Sequence, residues 1–158
     1  MSEYSDRFVA LSAALTGFKR LEIAGTGLVD THLETLYATL GESITVQFLE
    51  KGGVVLEAAD VTAAIEKEIM GDAVLGPVAQ NVIVLWYLGQ WDQMPATWRD
   101  ANGANPRDVG HVPVPAGWVQ ALVWPAIGAH GMGAKPPGYG SWALPPGAPV
   151  SEPIATLS

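Results

Sequence analysis

Apolar positions in the first part of the chain recur with a helical period. Phe8, Leu11 and Leu15 stand at i, i+3 and i+7, and Ser5 ahead of them has the side chain of an N-cap. Gly17 supplies the stop. A second stripe of Val29, Leu33, Leu36 and Leu40 predicts a helix from Leu28 to Leu40 that Gly41 ends. Ile44–Leu49 predicts a short third helix, broken by Gly52 and Gly53. Asp60 is placed to cap Val61–Met70, with Ile65 and Ile69 inward, Glu66, Lys67 and Glu68 outward, and Gly71 as the close. Segments of this length with short connections predict an antiparallel helical assembly.

The stretch Pro77–Trp91 is apolar on every side, and periodicity does not separate a buried strand from a buried helix there. Pro77 suits a first helical turn, and Val78–Gly89 is longer than an ordinary strand. Nothing else in the chain alternates well enough to pair with it. The expectation is a central helix, apolar all round because it is covered all round. A second buried helix is expected from Pro115 through Trp118, Val119, Leu122 and Val123, ending near Trp124-Pro125. The fold class predicted is therefore all-α. An irregular bundle of five or six helices occupies residues 1–125, and an extended Pro/Gly/Trp-rich arm occupies residues 126–158.

From about residue 101 onward the composition changes. Ten of the twelve prolines and nine of the eighteen glycines lie there, with Arg107, Asp108, Lys135 and Glu152 as the charged residues. Such density suggests a linker. Yet Trp118, Trp124, Tyr139 and Trp142 stand among Leu122, Val123 and Ile127, and large aromatics bury about 150–250 Å² each against some surface. The segment reads as an arm that wraps its own helices, a partner subunit, or both. Trp118, Trp124, Tyr139, Trp142, Pro145 and Pro146 are the expected partner-interface residues, because prolines preset φ and buried aromatics dominate interface energetics.

A net charge of −8, with twelve of the sixteen acidic residues in the first 72 positions, argues against nucleic acid as a partner. With no cysteine, disulfides, thiolate zinc sites and Cys-ligated clusters are excluded. No apolar run approaches the roughly 20 residues of a membrane span. Glu3 and Asp6 precede Phe8–Phe18 where a signal peptide would be basic, so no export signal is visible.

Candidate chemistry is sparse. Gly25-Thr26-Gly27 lacks the third glycine and the preceding strand of a dinucleotide loop and reads as a turn feeding a helix. Asp30 and Glu34 are one turn apart, with His32 on a different face, and read as solvated first-turn acids. His111, His130 and Met132 have no metal- or haem-ligand spacing. Neither Ser12 nor Ser141 sits in a nucleophile context. No catalytic, cofactor-binding or metal residue is expected in this chain.

Four blocks in order carry a resemblance. They are Phe8-Val9-Ala10-Leu11-Ser12 with Leu15-Thr16-Gly17, then Leu85-Trp86-Tyr87-Leu88-Gly89, then Trp118-Val119-Gln120-Ala121-Leu122-Val123-Trp124, and finally Pro137-Gly138-Tyr139-Gly140-Ser141-Trp142 running into Ala143-Leu144-Pro145-Pro146. This series resembles the small (gamma) subunits of bacterial FAD-dependent sugar and polyol dehydrogenases, the sorbitol dehydrogenase small-subunit family. The resemblance implies a noncatalytic subunit that supports folding, stability and flavin loading of a large GMC-like flavoprotein. FAD is then expected in the partner and no cofactor in this chain, and a cytochrome c subunit often takes the electrons in such complexes. Members often carry a twin-arginine signal ahead of the first block, so the expected location is periplasmic within a complex, or cytoplasmic given that no such signal is visible here. The alternatives are a free-standing assembly chaperone, or an independent small-ligand-binding protein or enzyme.

Overall fold

The computed structural model describes residues 3–103 and 105–131, and it is all-α. Most of the expected arm, including Tyr139, Trp142, Pro145 and Pro146, lies outside the described residues. The elements are α1 (Glu3–Thr16), α2 (Arg20–Gly25), α3 (Val29–Leu40), α4 (Glu42–Leu56), and α5 (Val61–Ile65), which runs on as a π-helical turn over Glu66–Met70. They continue with α6 (Leu75–Leu88), α7 (Ala96–Asn102), α8 (Pro115–Val119) and α9 (Val123–Ala126). Among the described residues the only strand-like feature is an isolated antiparallel bridge between Trp91 and His111.

α1 is the axis of the bundle and packs against α2, α3, α4 and α6. Its Phe8 and Leu11 are buried with Ile23, Leu36, Phe48, Leu49, Leu85 and Trp86 in one core. The helix begins earlier than the sequence predicts. Ser5 lies inside it, buried, and its Oγ donates to Asp30 Oδ1 at 3.4 Å instead of capping the first turn. Gly17 ends it as expected, with φ of 79° and its N–H on Ala13 O. Asp60 also caps as expected, its Oδ1 accepting from Ala63 N at 3.0 Å.

The expected break at Gly52-Gly53 is absent, and α4 continues to Leu56. The cause is packing. A Cβ on Gly52 would fall 2.5 Å from Leu11 Cδ2, so glycine is what lets α1 approach α4. The roughly 1 kcal/mol that glycine costs in a helix interior is offset by that burial. The same device turns the corner into α6, which lies at 113° to the segment before it. A Cβ on Gly76 would meet Met70 O at 2.6 Å. Asp72 Oδ1 caps the new helix by accepting from Val74 N and Leu75 N, both at 2.8 Å.

α6 is a helix, as its length and Pro77 predict, but it is not covered all round. Val78, Val82, Leu85 and Trp86 are buried, while Gln80 and Leu88 are exposed. The expected single helix from Pro115 to Trp124 is divided. Leu122 N–H leaves its own helix to donate to Trp86 O at 2.9 Å, which separates α8 from α9 and leaves Trp118 exposed. The short helices α2 and α7 were not foreseen. Lys19 N donates to Glu22 carboxylate at the start of α2, and Trp98 Nε1 fixes α7 by donating to Val74 O. No single helix among the described residues is long and apolar enough to cross a membrane.

Gly89 closes α6 at φ of 71°, and a Cβ there would sit 2.4 Å from the Gly117 carbonyl carbon. Gly89→Ala should lower stability by more than the roughly 1–2 kcal/mol of a left-handed non-glycine residue, because backbone must also move. Urea unfolding followed by far-ultraviolet circular dichroism measures it, and a midpoint equal to wild type would contradict the close contact.

Candidate partner interface

The segment after α6 has little regular structure, so its backbone polar groups need other partners. Asp108 supplies them. Only 2 % exposed, its carboxylate accepts from Trp91 Nε1 at 2.9 Å and from Met94 N at 3.1 and 3.2 Å. Its backbone oxygen accepts from Gln93 Nε2 at 2.9 Å. Asn81 on α6 pins the same turn, its Oδ1 accepting from Asp92 N and its Nδ2 donating to Asp92 O. Trp91 and His111 exchange both backbone bonds, N to O at 2.8 and 3.0 Å. Asn105 Nδ2 ties the following strap to Ala38 O on α3.

On this base stand the two described tryptophans of the expected interface. Trp118 on α8 is 43 % exposed. Its ring meets that of Trp124 on α9 edge to face, with centroids 5.2 Å apart and planes at 79°. Trp124 Nε1 donates to Trp118 O at 2.7 Å, which holds the two short helices together. Leu88 at the end of α6, Ile127 just past α9, and Val109 and Val112 on the strap are also exposed. The α8 backbone sits directly against the end of α6 through Gly117 and Gly89. An aromatic edge is thus displayed on a backbone that is already fixed, the arrangement that loses least entropy on docking.

The other residues considered from sequence are dispersed. Asp30 and Glu34 are on the exposed side of α3, and His32 points into the core. Gly25-Thr26-Gly27 is a helix-to-helix turn in which Thr26 Oγ1 donates to Ile23 O and accepts from Leu28 N. His111 and His130 are exposed, with Nδ1 of each near a neighbouring carbonyl, and Met132 lies outside the described residues. No group of three His, Asp or Glu side chains gathers to hold a metal among the described residues. A cleft of about 260 Å³ between α2 and α9 is lined by Phe18, Glu22, Thr26, Gln120, Leu122 and Pro125. It presents one carboxylate and no acid–base pair.

Sequence reasoning missed the Asp108 network. The available signal was a lone acid in an otherwise nearly uncharged segment, seventeen residues after a tryptophan with an indole N–H to satisfy. Comparison with known proteins finds no matching family model, curated protein or solved structure.

Asp108→Ala leaves the Trp91 indole and the Met94 amide unpaired in a buried site. Each orphaned group costs about 1–3 kcal/mol, so the unfolding midpoint should drop by more than an ordinary surface change would produce. Equilibrium urea denaturation checks it, and Asp92→Ala, an exposed neighbour whose backbone bonds remain, serves as the control.

Proposed function

We propose that this chain is the noncatalytic small subunit of a flavin-dependent, GMC-like sugar or polyol dehydrogenase complex. It supports folding, stability and flavin loading of a large catalytic subunit, which holds the FAD. The observation that carries this reading is the ordered series of sequence blocks from Phe8 to Pro146, shared in character with the sorbitol dehydrogenase small-subunit family. Two of those blocks meet in space, since Trp86 O accepts from Leu122 N and Gly89 lies against Gly117. The large subunit docks on the exposed Trp118 edge and on the arm bearing Tyr139, Trp142, Pro145 and Pro146. In such complexes a cytochrome c subunit often takes the electrons, and the complex works in the periplasm or the cytoplasm.

The reading predicts co-purification with a yellow flavoprotein when both are co-expressed. Trp118→Ala and Trp142→Ala should each weaken association by about 2–4 kcal/mol, the range of aromatic hot spots. The far-ultraviolet signal of the isolated chain should not change. A large subunit that loads flavin and turns over sugar fully without this chain would sink the proposal, as would sugar oxidation by the purified chain alone.

A further inference from the structure

His32 is the one described histidine in the core, and its setting is unusual. It is 1 % exposed, and its ring meets the Trp86 ring edge to face at 4.5 Å and 75°. Neither Nδ1 nor Nε2 has a hydrogen-bond partner among the described residues. The buried threonine hydroxyls of α1 and α3 are committed to their own helices. Thr35 donates to Thr31 O, Thr39 to Thr35 O and Thr16 to Ser12 O. Ser12 Oγ is the acceptor for the Trp86 indole N–H at 2.9 Å. A neutral imidazole is tolerated in such a place, whereas an imidazolium there would be a buried charge without a counter-ion.

The surrounding titratable groups do not supply that counter-ion. α3 packs on α1 and α4, and it meets α6 through Trp86. On α1 the charged groups are Glu3, Asp6 and Arg7, with Tyr4 beside them, and Glu3 is engaged by Arg7. On α4 they are Glu42, Glu50 and Lys51, and Lys51 pairs with Glu68. α6 carries no charged side chain, and the hydroxyl of its Tyr87 donates to Thr16 O. On α3 itself Asp30 and Glu34 are exposed, and Tyr37 is half-buried. In the strap tied to Ala38, Arg107 is exposed and Asp108 is occupied by Trp91 and Met94.

We propose that the α1–α3–α6 seam is an acid-sensitive latch: proton uptake by His32 opposes closure of the seam. Acidification then drives α3 away from α1 and α6 and uncovers Phe8 and Trp86. In support, burial alone lowers the His32 pKa from 6.5 to about 4. The sign follows from linkage. An opened chain takes up the proton below about pH 6.5, and the closed seam does so only near pH 4. The closed state is therefore fully favoured above pH 6.5 and loses ground as the pH falls toward 4, by tenfold per pH unit and about 300-fold in all. The device adds a pH limit to the fold that is independent of any partner.

The test uses the full chain and a His32→Phe variant, which keeps a planar ring and removes the titration. Urea midpoints are measured from pH 7.5 to pH 4.5, with near-ultraviolet circular dichroism reporting the Trp86 environment. Wild type should lose stability across the window and the variant should be markedly flatter. Equal losses in both proteins would overturn the latch. If His32→Phe does not fold, proton NMR of the wild type decides. A His32 ring titrating near 6.5 in the folded chain refutes the proposal, and a ring that stays neutral until the fold opens supports it.

Discussion

The hydrogen bond from Trp86 Nε1 to Ser12 Oγ, 2.9 Å long and buried, joins residues 74 positions apart. It satisfies the one polar group of a tryptophan side chain, among the largest in the core. The bond also sets the depth at which α6 lies on α1, with the Trp86 ring 5.9 Å from Phe8 and 4.5 Å from His32. The backbone oxygen of the same residue then accepts from Leu122 N, outside the helix. One tryptophan thus holds α1, α3, α6 and the α8–α9 segment in fixed relation. Truncating its side chain would open a large cavity and leave Ser12 Oγ without the indole N–H, while the backbone bond from Leu122 would remain.

Helices whose apolar stripe faces one neighbour were legible in the sequence. The stripe of α3 and the cap at Asp60 needed no tertiary information, because period and cap are local properties. What local pattern hides is the approach of two backbones. Gly52 reads as a breaker in isolation, yet it leaves room for the Leu11 side chain of α1 against α4. Gly76 and Gly89 serve in the same way. The two faces of α6 were misjudged for a related reason, since Leu88 is as apolar as Leu85 and only the placement of the neighbouring elements decides which is covered. Short helices such as α2 and α7 have too few residues to show a period.

That large aromatics stand in a Pro- and Gly-rich setting was legible in the sequence, and which of them is exposed was not. Trp118 is 43 % exposed, alongside the exposed Leu88, Val109, Val112 and Ile127. That Trp118 and Trp124 form a pair held by an indole-to-carbonyl bond depends on the break between α8 and α9. The break depends in turn on Leu122 reaching Trp86, a contact with no trace in local sequence.

The two halves of the described chain are stabilised by different means. Residues up to Leu88 bury apolar stripes, and their backbone groups are satisfied within helices. Beyond Gly89 the helices are too short for that, and Asp108, Asn81, Asn105 and Gln93 take over as side-chain partners for the backbone. Such a network is directional where apolar packing is not, so it fixes the backbone between α6 and α8 in one conformation. A charged group inside the second half is therefore constructive, because donors surround it. In the first half no described group partners His32, and the same chemistry that orders one end of the molecule would open the other.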